Sequence, residues 1–164
     1  MLVLGIDPGT ATTGYGLVEE NDGDFHLVRC GAVSTPAGVP LEKRLLLLYD
    51  ELSRIVANYH PEEMAVEEVF FGKNVTTAIA VSHGRGIALL VAAQNGIPVF
   101  SYKPAEIKQS VVGYGNADKH QMQTMIKMLL SLEQVPKPDD AADAVAVAIC
   151  HIQQNRYRSL VEER

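Results

Sequence analysis

Acidic residues interrupt three stretches of this sequence that otherwise read as buried. Asp7 closes the apolar run Leu2-Val3-Leu4-Gly5-Ile6, and Glu67 and Glu68 sit late in EMAVEEVF, residues 63–70. Asp140 and Asp143 stand near the start of DDAADAVAVAICHI, an apolar stretch with helical character. Burying an uncompensated charge costs several kcal/mol. Carboxylates from strand ends and from a helix crossing that edge can converge, and their mutual repulsion then calls for a cation. Oxygen ligands without a companion His or Cys cluster favour Mg²⁺ or Mn²⁺ over Zn²⁺. Asp140 and Asp143 are three apart and share one helical face. Asp139 follows Pro138 and reads as the N-cap of that helix. Glu67 and Glu68 point to opposite faces of a strand, so one faces the cluster, and periodicity alone does not say which.

A second chemistry competes at the N-terminus. In GIDPGTATTGYG, residues 5–16, the turn after Asp7 carries the glycines and threonines of a phosphate-cradling loop. An actin-like ATPase or sugar-kinase fragment would use residues 9–14 in this way. Such proteins need a second, similar lobe, and the chain has no second glycine-rich strand turn. A non-catalytic binding module, with acids that merely order helix and strand ends, is the other alternative.

The positioning elements follow from period and punctuation. Strands are expected at 1–7, 12–19 and 25–34, with ENDGD (20–24) turning between the last two. Leu41, Leu45, Leu48, Leu52, Ile55 and Val56 fall at helical spacing within 40–59, and Pro61 ends that stretch. A strand at 63–70, a small-residue helix at 74–95 and a strand at 97–102 come next. Helices at 104–112, 118–132 and 139–155 complete the chain. The order implies an α/β fold whose sheet has an antiparallel part and helices on its faces. At 164 residues, one domain over 1–155 with a short polar tail at 156–164 is expected.

Composition narrows the setting. No unbroken apolar run is long enough to span a membrane, and the N-terminus lacks a basic region before its apolar run. Cys30 and Cys150 are isolated, as expected of reduced thiols in a cytoplasmic protein. The net charge of −6 argues at first sight against a nucleic-acid partner. Residues 103–130, however, hold Lys103, Lys108, Lys119 and Lys127 against only Glu106 and Asp118. One basic face on an acidic protein, with cations in the acidic cluster, can still receive DNA.

Four blocks in order, GIDPGTATTGYG, AVEEVFFGKN (65–74), IKQSVVGYGNADKHQM (107–122) and DDAADAVAVAICH (139–151), resemble the RuvC family of bacterial Holliday junction resolvases. That family belongs to the RNase H-like nucleases, which implies a mixed five-stranded sheet, three antiparallel strands then two parallel, with helices on both faces. The resemblance implies that the catalytic acids are Asp7, Glu67 rather than Glu68, Asp140 and Asp143, and that Lys119 acts beside them. It implies DNA contacts from Phe70, Lys73, Lys108 and Lys119, with Phe71 offering further stacking surface. Glu68 stands where many relatives carry Gln. The implied substrate is four-way junction DNA, and the implied partners are a second copy of the chain and the RuvA–RuvB branch-migration complex. Two Mg²⁺ ions shared by the four acids, with Mn²⁺ able to substitute, would serve an in-line phosphodiester hydrolysis. Paired nicks in strands of like polarity are the expected product. The helix at 74–95, with Ala78, Ala80, Gly84, Gly86 and Ala88, is a candidate dimer surface, or else packs on the sheet.

Overall fold

A computed structural model describes residues 1–68 and 75–162, with side chains as far as Arg158. The elements are β1 (Leu2–Asp7), β2 (Thr12–Asn21), β3 (Asp24–Ser34), α1 (Leu41–Tyr59), β4 (Glu63–Glu67), α2 (Val75–Gln94), β5 (Val99–Tyr102), α3 (Pro104–Val112), α4 (Lys119–Leu129) and α5 (Asp139–Glu162). The five strands lie in the order β3-β2-β1-β4-β5. The β1–β2 and β2–β3 pairs are antiparallel, and β1–β4 and β4–β5 are parallel. This is the mixed sheet expected from the sequence. Asp22 and Gly23 turn β2 into β3 with φ of 52° and 99°, the left-handed pair that a tight hairpin of matching twist requires.

Alternation along the strands builds two cores, one on each face of the sheet. Leu4, Ile6, Leu17, Met64 and Val66 pack with Leu48, Leu52, Ile55 and Val56 of α1 and with Ala88, Val91 and Ala92 of α2. Val3, Val18, Ala65 and Tyr102 face the other way, toward α3, α4 and α5. On this second face α5 is buried from Ala141 to Ile152 except at Asp143. It lies against β1 and β2 because Gly5 and Gly14 clear its path. A Cβ at Gly5 would fall 2.1 Å from the Ala144 carbonyl oxygen, and one at Gly14 would fall 1.9 Å from that of Asp140.

Several boundaries differ from the sequence reading. Helix α5 continues through Glu162, across the residues read as a polar tail. Arg156 secures that extension: its Nη2 lies 2.8 Å from Glu20 Oε1, and its guanidinium covers the Phe25 ring at 4.9 Å. Asp139 is the first residue of α5 and not its cap, since the amides of Ala141 and Ala142 donate to the Pro138 carbonyl. In α2, Ala78, Gly84 and Ala88 are buried, so most of the small residues pack inward. The exposed stripe carries Val75, Ile79 and Leu90 instead. Among the described residues α2 alone is long and apolar enough to cross a membrane by length and composition, and its inward face packs on the sheet and α1.

Candidate active site

Asp7 ends β1, the central strand, and Glu67 ends the parallel neighbour β4, so both carboxylates reach the same edge of the sheet. Glu67 shares the α5-facing side with Ala65, which assigns it and not Glu68 to the cluster. Helix α5 adds Asp143 from its second turn. Asp7, Glu67 and Asp143 line one pocket of about 340 Å³ together with Lys108 of α3 and Lys119 of α4. Pro104, Ile107, Met122, Ala146 and Val147 form its apolar walls. Asp140 lies at the margin, outside the lining, and its charge still acts on Asp7 and Asp143. Phe70, Phe71 and Lys73 lie outside the described residues.

The electrostatics are those of crowded acids that two lysines compensate only in part. Burial, then the charges of Glu67, Asp143 and Asp140, push the Asp7 carboxyl up to about 8. Asp7 and Glu67 share a hydrogen bond, which works to raise the Asp7 value and to lower that of Glu67. Burial and the Asp143 charge nonetheless hold Glu67 above the ordinary carboxylate range, and burial raises Asp143 as well. Lys108 opposes the rise at both Glu67 and Asp143. Lys119 is more engaged than its sequence position suggests. Its Nζ lies 2.8 Å from Asp139 Oδ2, which Gln123 also approaches through Asp139 Oδ1 at 3.2 Å. Asp139 thus anchors the lysine that overhangs the pocket.

The turn after Asp7 does not serve as a phosphate cradle. The Thr13 hydroxyl donates to the Gly9 carbonyl at 2.5 Å and accepts from the Gly9 amide at 3.2 Å. The Thr10 hydroxyl donates to the Ala80 carbonyl, and Thr35 donates to the Thr10 carbonyl at 2.7 Å. These hydroxyls and the Gly9 amide, which a phosphate would need, are already engaged. The turn instead pins the end of β1, and with it Asp7, against α2.

The donor set suits a hard cation. Among the described residues no three acids close into a ready-made metal cage. Mg²⁺ does not require one, because it binds through one or two carboxylates and keeps waters or substrate phosphate oxygens on its other positions. An all-oxygen set of crowded acids, raised by burial and mutual repulsion, fits such an ion.

Sequence reasoning missed a second polar group on the same elements, Glu63, Tyr102 and His151. Its one signal was a histidine inside the apolar run AICHI.

Residues 3–151 match the family model described as Crossover junction endodeoxyribonuclease RuvC. A protein of that name from Roseiflexus sp. (strain RS-1) is 57% identical over 148 residues, covering 90% of this chain and 88% of its own. Another from Chloroflexus aggregans is 58% identical over 151 residues, covering 92% of each. Thermus thermophilus RuvC superposes with a TM-score of 0.88 at 32% identity, and 96% of each chain is covered. The same protein in complex with Holliday junction substrate superposes at 0.91. The yeast mitochondrial Holliday junction resolvase shares the fold at 16% identity, with a TM-score of 0.66. The chain belongs to the RuvC family of crossover junction endodeoxyribonucleases, Holliday junction resolvases of RNase H-like fold.

Proposed function

We propose that Asp7, Glu67, Asp140 and Asp143 hold two Mg²⁺ ions, with Mn²⁺ able to substitute, and that the chain hydrolyses junction phosphodiesters as a homodimer. Nucleases of this family are metal-dependent; the identity and number of the ions are the inference. The observation that carries it is the convergence of Asp7, Glu67 and Asp143, from three separate elements, on a pocket that also receives Lys108 and Lys119. Ions held there by Asp7, Glu67, Asp140 and Asp143 would supply an activated water and charge neutralisation for the hydrolysis. The chain's residues do the rest. Asp7 gives up its proton and orients an oxygen on the rigid end of β1. Lys119, steadied by Asp139, and Lys108 stabilise the charge that develops on the phosphate.

Phe70 and Lys73 are proposed to contact the crossover, by stacking and by phosphate pairing. The exposed apolar stripe Val75, Ile79 and Leu90 is the proposed dimer face, which would set two sites against strands of like polarity. Residues 1–155 would act as one nuclease domain in the cytoplasm, with the RuvA–RuvB complex delivering the junction.

The test is direct. Purified protein, Mg²⁺ and a labelled mobile four-way junction should yield paired, symmetric nicks that are absent on linear duplex. Asp7→Asn should bind the junction and leave it uncut. Mg²⁺-dependent nicking by that variant would remove Asp7 from the chemistry.

A further inference from the structure

We propose that His151, Tyr102 and Glu63 form a buried latch that fixes the register of α5 against β4, and so sets the separation of Glu67 and Asp143. The inference rests on the reading of those two acids as metal ligands. Its residues are positioning residues, with no role in contact with substrate.

The geometry has two rungs. Glu63 and Glu67 are four apart on one face of β4, which places them roughly 13 Å apart along the strand. His151 and Asp143 are eight apart on α5, about 12 Å along its axis. Glu63 meets His151 at one end, and Glu67 meets Asp143 at the other. The far rung is closed by attraction. His151 Nε2 lies 2.5 Å from Glu63 Oε2, and Asn155 Nδ2 donates to the same oxygen at 2.9 Å. The Tyr102 hydroxyl lies 2.6 Å from His151 Nδ1, and Tyr102 is the register partner of Glu67 on β5. The Phe100 ring backs the imidazole with centroids 4.5 Å apart. The rung at the pocket holds two carboxylates that repel each other.

Hydrogen-bond chemistry makes this arrangement directional. A carboxylate only accepts, so Nε2 carries the imidazole proton and donates to Glu63. Nδ1 then accepts from the Tyr102 hydroxyl. Burial holds His151 below its ordinary value and pushes Tyr102 up to about 12, which keeps the imidazole neutral and the phenol protonated at neutral pH.

The buried surface of α5 is part alanine, at 141, 142, 144, 146 and 148, and part Val145, Val147, Ile149 and Ile152; the latch adds directional hydrogen bonds to that packing. Specifying register is the best-attested use of a buried polar group. A slide of about one residue rise, roughly 1.5 Å, would change the spacing of Glu67 and Asp143 by a similar distance.

His151→Phe keeps the ring against Phe100 and removes both hydrogen bonds. Mn²⁺ affinity of the DNA-free protein, read by electron paramagnetic resonance, should weaken about tenfold, as for loss of a group that orients metal ligands. The Mg²⁺ midpoint of single-turnover junction cleavage should rise by a similar factor, while metal-free junction affinity stays unchanged. Glu63→Gln, which still accepts from Nε2, should retain near-native Mn²⁺ affinity. A cooperatively melting His151→Phe protein with native Mn²⁺ affinity overturns the latch. Should His151→Phe fail to fold, Tyr102→Phe is held to the same criterion. Asp7→Asn runs alongside: native Mn²⁺ affinity in that variant overturns the metal-site reading itself, whatever His151→Phe shows.

Discussion

Asp7 is crowded by burial and by neighbouring acids, which push its carboxyl up to about 8 against an ordinary value of 3.8. Between those values the folded state holds the proton more tightly than the unfolded state does, so this contribution to stability is present at low pH and fades as pH rises toward 8. The raised values of Glu67 and Asp143 act in the same sense. Metal-free protein should therefore melt lower at pH 9 than at pH 7, by about 5 °C, and Asp7→Asn should lose most of that slope. Calorimetry in a chelating buffer checks this, and an undiminished slope in Asp7→Asn would place the titration elsewhere. The acids were legible in the sequence because each stands where the hydrophobic pattern calls for an apolar residue. Choosing Glu67 from the residues alone required knowing which face α5 covers. The Lys119–Asp139 pair was not legible, because it depends on how α4 and α5 meet in space and not on any spacing along the chain.

At the scale of elements, helix α5 and strand β1 form the unit that places the acids. Gly5 is what lets them touch. Gly5→Ala would drive a methyl into the Ala144 carbonyl, a backbone atom that yields only if the helix moves. The expected cost is about 1–3 kcal/mol in urea denaturation. Cleavage should fall more than the loss of folded protein explains, because the displaced helix carries Asp143. A native urea midpoint would show that α5 has room to give. Most elements were readable from period and punctuation: the meander, the Asp22-Gly23 turn and the helix pattern in α1 follow local rules. The errors arose where tertiary contact overrides local signal. Glu20 and Phe25 capture Arg156 and carry α5 past residue 155. The turn at Gly9 receives Gly84, whose added Cβ would lie 2.6 Å from the Gly9 carbonyl oxygen, so that small residue serves packing within the chain.

The whole molecule divides its tasks between opposite faces of one sheet. One face carries α5 and the acidic pocket, and the other carries α1 and α2 with the exposed stripe of Val75, Ile79 and Leu90. The proposed pairing through that stripe would leave the pocket open to DNA. Ile79→Glu should convert the proposed dimer to a monomer in analytical ultracentrifugation, and an unchanged sedimentation coefficient rejects this face. The formal charge of −6 was the poorest guide at this scale, because it averages Lys108 and Lys119 with acids spread along the whole chain. The hairpin tip at Asp22-Gly23 lies at the other end of β2 from Gly14, the register partner of Asp7. Seven residues of strand, roughly 23 Å, separate the two ends. Arg156 ties Glu20, beside that tip, to α5, and the tip stands clear of the pocket. It is a natural handle: a dye placed there would report the approach of a labelled junction without entering the site it approaches.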